Sequence, residues 1–167
     1  MKSFIPGVDY VVATRRNHAL EHATVTVLLE KHGFTRSLAG RSNDQGFTIL
    51  GSVSTEELRS AVTEALARMK KGEHNLAVSP FCGTNIAVTG ILAGLATLAF
   101  VGRRKRMQQL PNVLFGGMIA ALAGQPVGRL AQKYLTTSPN VASMEVVSIT
   151  PKGWGPFKTH WVATRQS

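Results

Sequence analysis

Residues 18 to 22 contain two histidines and a glutamate in the pattern H-x-x-E-H, formed by His18, Glu21 and His22. On a helix, side chains four residues apart stack on one face, so both imidazoles would point to the same place. Two imidazoles placed in this way can coordinate one divalent ion, and neutral imidazole is a common ligand of zinc. Glu21 would lie beside them, where a carboxylate can act as general base on a water. The pattern therefore predicts a site for zinc or another divalent metal, with hydrolysis as the reaction.

A catalytic zinc site also needs a third protein ligand and a fourth position for water. The candidates, in order, are Cys82 in PFCGTN, His74 and Glu73 in KKGEHNL, and Asp44 in a turn. Each has an ordinary alternative, since Cys82 can be a small buried residue at a helix start and His74 can favour a helix C-terminus. The His-Glu pairs can likewise serve the helix alone. The third ligand therefore decides whether a metal binds.

The helix that would carry the motif is predicted from its ends. Thr14 is a suitable N-cap and Gly33 a suitable C-cap, so we expect helix one from Arg15 to His32. Val25 and Leu29 continue the face of the two histidines. This spacing predicts that the imidazoles point towards a core rather than to solvent.

The next segments complete a small α+β unit, residues 1–82. Turn residues from Gly40 to Gly46 lie between two short apolar runs, which predicts a β-hairpin. Ser54 and Glu57 form a capping box before a second helix that runs towards Gly72. Residues 76–79 are expected to add a short strand.

Two long uncharged runs follow, at residues 75–102 and 107–128, and four basic residues, 103–106, separate them. The twenty residues 83–102 would span about 30 Å as a helix, enough to cross a bilayer core. We therefore predict a transmembrane helical hairpin over residues 83–130. Its close packing would use small residues four apart: Gly90 with Gly94, and Gly116 with Ala120. The alternative is a hairpin buried in a soluble domain.

Residues 131–167 are expected to form a basic tail with a short β-hairpin, made by MEVVSIT and FKTHWVATR, which can pair with each other or join the first sheet. The whole chain is thus predicted to be α+β. The chain has a formal charge of +10, and residues 81–167 hold nine of the 19 Lys and Arg but only one acidic residue, Glu145. This asymmetry predicts contact with anionic lipids.

Partners and location follow from the same composition. With only two Trp and two Tyr, nucleic acid is the less favoured partner, and a protein partner or a second copy is expected. The first residues lack the apolar core of a signal peptide, so we expect an inner (cytoplasmic) membrane protein with its soluble parts in the cytoplasm. A single cysteine, Cys82, excludes an internal disulfide.

The segments NHALEHATV, GRS, GF, LAV and CGTN, taken together, resemble an uncharacterised bacterial family of small membrane proteins, classified as a domain of unknown function. The resemblance covers roughly residues 15–130. Members of that family often carry a histidine where this chain has Ser79, so one ligand is missing here. The five residues His18 to His22 are also similar to the motif of the inverzincin peptidases, whose third ligand is a distant glutamate. The family implies no activity.

Two functions are therefore expected. The first is a membrane-bound, metal-dependent hydrolase of peptidase type, with His18 and His22 as ligands, Glu21 as base, and Cys82 or His74 completing the site. The second is a non-catalytic accessory subunit of a membrane complex, whose histidines are structural or hold a structural metal. Metal content and the number of protein ligands separate the two functions.

Overall fold

The computed structural model describes residues 7–33, 37–100, 110–153 and 158–166. Within these ranges the chain is α+β, as predicted, with four α-helices and a four-stranded antiparallel sheet. The chain divides into two compact units, one formed by residues 1–79 and 136–167 and the other by residues 80–135. The elements, in chain order, are α1 (Val8–His32), β1 (Ala39–Asn43), β2 (Gly46–Leu50), α2 (Thr55–Lys70), a 3-10 helix (His74–Ala77), α3 (Gly83–Phe100), α4 (Leu110–Ala131), a π-helical segment (Gln132–Thr136), β3 (Met144–Pro151) and β4 (Thr159–Gln166).

The sheet belongs to the first unit and has the strand order β1-β2-β4-β3. Both predicted hairpins form, because β1 pairs with β2 and β3 pairs with β4. However, β1 occupies residues 40–43 of the segment predicted to be the first turn, so the turn is shorter than expected. In addition, β4 pairs with β2, with Phe47 opposite Val162. The C-terminal hairpin thus joins the first sheet, one of the two arrangements expected for it, and residues 136–167 belong to the first unit. Pairing with β4 covers the edge that β2 would otherwise leave open.

The helices of the first unit begin and end largely where local sequence signals place them. α2 has the predicted capping box, in which the Ser54 side chain accepts from the Glu57 N–H and the Glu57 carboxylate accepts from the Ser54 N–H. α1 ends at Gly33 as expected but begins at Val8, one turn and more before Thr14. The strand expected at residues 76–79 is wrong: residues 74–77 form a 3-10 helix, whose turn uses the N–H groups of Leu76 and Val78.

The core of the first unit lies between α1, α2 and one face of the sheet. Its largest fully buried apolar side chains come from all of these elements and their connections: Leu20, Val27, Leu28, Phe47, Ile49, Val53, Leu58, Val62, Met69, Val141 and Met144. The face of α1 that carries Val25 and Leu29 is only partly buried. The apolar core of α1 is instead formed by Ala19, Leu20, Ala23, Val27 and Leu28.

A buried amide fixes α1 against the sheet. Asn17 is fully buried, and its Nδ2 donates to the carbonyl of Asn43 at the end of β1, at 2.8 Å. The Thr164 hydroxyl of β4 donates to Asn17 Oδ1 at 2.6 Å. Because both polar atoms of the buried amide are satisfied by different strands, Asn17 sets the position of α1 on the sheet.

The second unit is an antiparallel pair of apolar helices, α3 and α4. A Cβ built on Gly124 would overlap Thr89, and one built on Gly128 would overlap Asn85, so these glycines permit the close approach of the helices. Gly90 and Gly94, predicted for that role, face open space instead. Gly116 and Ala120 are buried. The small residues of the contact are therefore further along α4 than expected.

One helix among the described residues, Leu110–Thr136, is long and apolar enough to cross a membrane by length and composition. It has 27 residues, whereas the apolar helix Gly83–Ala99 is shorter. The basic residues 103–106 lie outside the described ranges. The transmembrane character of the two-helix hairpin stays a prediction.

His160 of β4 makes the stability of the first unit sensitive to acid. The side chain is buried, its Nε2 lies 3.1 Å from the Thr55 hydroxyl, and within the described ranges its Nδ1 has no hydrogen-bond partner. Burial, with a smaller contribution from nearby Lys158, lowers the pKa of His160. The unfolded chain therefore binds this proton first as the pH falls.

We expect the melting temperature of the purified protein to fall as the pH is lowered below about 6.5, the ordinary pKa of histidine. The stability that the neutral, buried His160 contributes is fully present above that pH. It is lost as the pH falls towards the lower pKa that His160 has in the folded protein. The His160→Gln variant should show a weaker dependence between pH 7.5 and 5, whereas the same change at the exposed His74 should preserve it. An unchanged pH profile in His160→Gln would contradict the assignment.

Candidate metal centre

The two histidines of the H-x-x-E-H motif meet on one side of α1, as their spacing predicts. Their ring centroids are 4.3 Å apart, with the ring planes inclined by 62°. A ring nitrogen of His18 and one of His22 lie within 4.8 Å of each other. His22 is buried, and His18 is half-buried. Two imidazoles at this separation can share one metal ion after small side-chain adjustments.

Hydrogen bonds to the backbone fix which nitrogen of each ring carries the proton. His18 Nδ1 lies 3.0 Å from the carbonyl oxygen of Thr136, and His22 Nδ1 lies 2.9 Å from that of Ala77. A carbonyl oxygen can only accept, so Nδ1 donates in both rings. In the neutral rings the lone pair is therefore on Nε2. Donation by the other nitrogen to a backbone carbonyl is the usual support of a metal-binding histidine.

Glu21 is held against the sheet. Its carboxylate accepts a hydrogen bond from the Ser42 hydroxyl of β1 at 2.9 Å, and the residue is buried. A Cβ on Gly40, also in β1, would overlap the same carboxylate. Strand β1 thus has a hydroxyl and a glycine where the acidic side chain of α1 packs. The role of Glu21 as general base stays a prediction.

Cys82 lies in the second unit, at the start of α3, and is buried. The N–H of Thr84 is directed at its sulfur, at 3.4 Å. The role of this thiol as third ligand stays a prediction from the sequence. Thiolate and imidazole together make up a donor set that zinc takes readily.

The other third-ligand candidates lie on the surface or at a turn. His74 is exposed at the start of the 3-10 helix. Glu73 is exposed and accepts a hydrogen bond from Arg68 at 2.9 Å. Asp44 is half-buried in the turn between β1 and β2. Cys82 is therefore the only one of the four candidates that is buried.

Several supporting residues escape prediction from the motif. The carbonyl groups of Ala77 and Thr136 bind the histidines, and no side-chain pattern identifies a backbone partner. Ser42 and Gly40 approach Glu21 because β1 packs on α1. The segment GRS, which contains both residues, stands out in sequence only through the family resemblance.

We expect Gly40→Ala to destabilise the protein by about 1–3 kcal/mol, since the added methyl group would displace the Glu21 carboxylate. Ser42→Ala removes one hydrogen bond without a clash and should cost about 1 kcal/mol. Denaturant unfolding of the solubilised protein measures both. Gly94→Ala, in open space, is the matched glycine control and should retain full stability. A Gly40→Ala variant as stable as the wild type would refute the packing of Glu21 on β1.

Comparison with known proteins agrees with the resemblance noted in the sequence. The family model described as "Domain of unknown function (DUF6391)" matches residues 13–149. An uncharacterized protein of Picosynechococcus sp. (strain ATCC 27264 / PCC 7002 / PR-6) is 36% identical to this chain over an alignment of 175 residues, gaps included. The alignment covers 97% of this chain and 84% of the relative. No solved structure matches. The likeness to metallopeptidases is confined to the five-residue motif, and the chain belongs to the DUF6391 family.

Proposed function

We propose that this chain is a membrane-associated protein that binds a divalent metal, zinc by its donor set, through His18, His22 and Cys82. The observation that carries the proposal is the pair of Nδ1 hydrogen bonds to backbone carbonyls, at 3.0 Å for His18 and 2.9 Å for His22. These bonds orient two neighbouring rings and leave a lone pair on each Nε2. Such pre-orientation of imidazoles supports metal binding.

Chain connectivity favours Cys82 as the third ligand. The carbonyl of Ala77 is bonded to His22, and Cys82 follows only five residues later. Five residues span at most about 18 Å, so the chain length permits the thiol to reach the rings. His74 is closer to Ala77 in sequence, three residues before it, but its side chain is exposed. A buried thiolate is the better partner for buried imidazoles, because the metal compensates its charge.

Three protein ligands would leave the fourth tetrahedral position to water, as in catalytic zinc sites. The finer proposal is therefore a metal-dependent hydrolase of peptidase type, with Glu21 as the base that accepts the proton from that water. Glu21 is on the same helical turn as the two ligands. A substrate close to the bilayer suits a site that the chain links directly to an apolar hairpin.

The second candidate is a non-catalytic subunit with a structural metal. The hydrogen bond from Ser42 and the packing on Gly40 favour it, because they hold Glu21 in the structure of the first unit. In this function the motif stabilises the fold and the unit docks onto a protein partner or a second copy. The number of protein ligands on the metal separates the two candidates.

Membrane association is proposed from the surface of the second unit. Its helices expose many large apolar side chains, including Leu122 at 77%, Leu98 at 75% and Ile86 at 74% exposure. An apolar surface of this extent is typical of contact with lipid or another protein. The basic excess of residues 81–167 would suit anionic lipid head groups on the cytoplasmic side of the inner membrane.

We expect detergent-purified wild-type protein to contain one equivalent of zinc by elemental analysis. The variants His18→Ala, His22→Ala and Cys82→Ser should each lose it, because each removes one of three ligands. Elemental analysis also distinguishes copper, which accepts the same donor set. Metal-free wild-type protein, after purification and reconstitution with zinc, would overturn the proposal.

Two variants serve as matched controls for this experiment. His74→Ala removes an exposed imidazole and Glu21→Gln alters a base rather than a ligand, so both should retain the metal. Loss of metal in His74→Ala would show that His74, and not Cys82, is the third ligand. X-ray absorption of the metal-loaded protein then counts the ligands: three nitrogen or sulfur ligands with one oxygen favour the hydrolase, and four protein ligands favour the structural site.

We expect the protein to stay in the membrane fraction after washing with alkaline carbonate. Leu122→Arg, on an exposed apolar position of α4, should reduce the membrane-bound fraction, since a charge at a helix centre costs about 2.5–3.5 kcal/mol in insertion. Val147→Arg replaces an exposed apolar side chain of β3 and is the matched control that should change nothing. Wild-type protein that remains soluble without detergent would contradict membrane association.

A further inference from the structure

We infer that Asn85 and Gln132 are positioning residues that hold the Cys82 sulfur in place for metal binding. The inference rests on the proposed function, in which Cys82 is the third ligand. It concerns only contacts inside the second unit. There, two buried side-chain amides of an otherwise apolar helical pair are bonded to each other and to the turn that carries the cysteine.

Asn85 closes the turn around Cys82. Its side-chain Nδ2 donates to the carbonyl of Pro80, and its backbone N–H donates to the carbonyl of Cys82, both at 2.9 Å. The carbonyls of Pro80 and of the cysteine itself are thereby bonded to one asparagine. The Thr84 N–H approaches the sulfur at 3.4 Å, so the direction of the thiol is also restrained. These hydrogen bonds thus restrain residues 80–85 around a single sulfur atom.

α4 and the segment after it hold Asn85 in turn. Gln132 is fully buried, and its Nε2 donates to Asn85 Oδ1 at 2.8 Å. Gly128, one turn before Gln132, has no side chain at the point where a Cβ would overlap Asn85. Gly128 therefore leaves room for the asparagine side chain, and Gln132 donates a hydrogen bond that fixes the orientation of its amide.

The chemistry of the pair indicates more than helix packing. Buried amides are unfavourable in an apolar helical pair unless every polar atom is bonded, and apolar side chains would pack there without that requirement. Here the chain of bonds runs from Gln132 through Asn85 to the Cys82 turn. Replacing a residue that supports a metal ligand typically changes metal affinity by 10–100-fold, and here the support acts through the backbone of the cysteine turn.

The experiment is a cobalt titration of the detergent-purified full chain, with the thiolate-to-cobalt charge-transfer band as the readout for sulfur ligation. We expect Gln132→Met to weaken the cobalt affinity by about 10–100-fold, because Asn85 loses the donor that orients it. Gln125→Met, the same change at an exposed position of α4, should stay within about twofold of the wild type.

A second control separates positioning from helix packing. Gly124→Ala disturbs the contact with Thr89 but leaves the bonds of Asn85 in place, so it should retain the wild-type cobalt affinity. Equal weakening in Gly124→Ala and Gln132→Met would overturn the inference, and so would a Gln132→Met variant with wild-type affinity. Circular dichroism verifies that each variant keeps its helices.

A wild type that shows no thiolate band would remove Cys82 from the proposed site, and the positioning of its turn is then tested without metal. Cys82 is the single cysteine and is only 7% exposed, so alkylation reports on this position alone. Loss of one buried hydrogen bond should raise its alkylation rate by about fivefold in Gln132→Met through easier local opening. An unchanged rate would overturn the positioning role.

Discussion

The first unit is organised around a helix that is buried together with its polar side chains. Asn17, Glu21 and His22 of α1 are buried, and each of them must find a hydrogen-bond partner to avoid a large desolvation cost. The partners come from β1, β4 and the 3-10 helix: the Asn43 carbonyl and Thr164 hydroxyl, the Ser42 hydroxyl, and the Ala77 carbonyl. Segments that are far apart in the chain thus meet at α1 because its polar groups require them. This requirement also explains why the C-terminal hairpin belongs to the first unit.

The need of buried polar side chains for hydrogen-bond partners also produces the candidate metal centre. A buried histidine could satisfy its donor with any acceptor, but both rings of the motif use Nδ1 on a backbone carbonyl. The two lone pairs therefore belong to the Nε2 atoms of neighbouring rings, which is a suitable starting arrangement for a divalent ion. Glu21, between the two histidines in sequence, accepts a hydrogen bond from Ser42 of β1. The motif thus divides its three side chains between a candidate metal site and the sheet.

The second unit follows a different physical rule. Its helices expose apolar side chains and bury small or polar ones, with Gly124 and Gly128 permitting close approach. The buried polar pair, Asn85 and Gln132, is bonded to the Cys82 turn, so the most polar part of this unit is next to its only thiol.

Local signals determined much of this protein. The capping box at Ser54 and Glu57, the turn before Gly46 and the spacing of His18 and His22 predict α2, the first hairpin and the histidine pair, since each depends on residues only a few positions apart. Tertiary structure decided the rest. The pairing of β2 with β4, the 3-10 helix at the predicted third strand and the choice of Gly128 over Gly90 depend on partners distant in the chain. A short pattern can place a side chain on a helix face, but the groups that bond to it are brought there only by the folded chain.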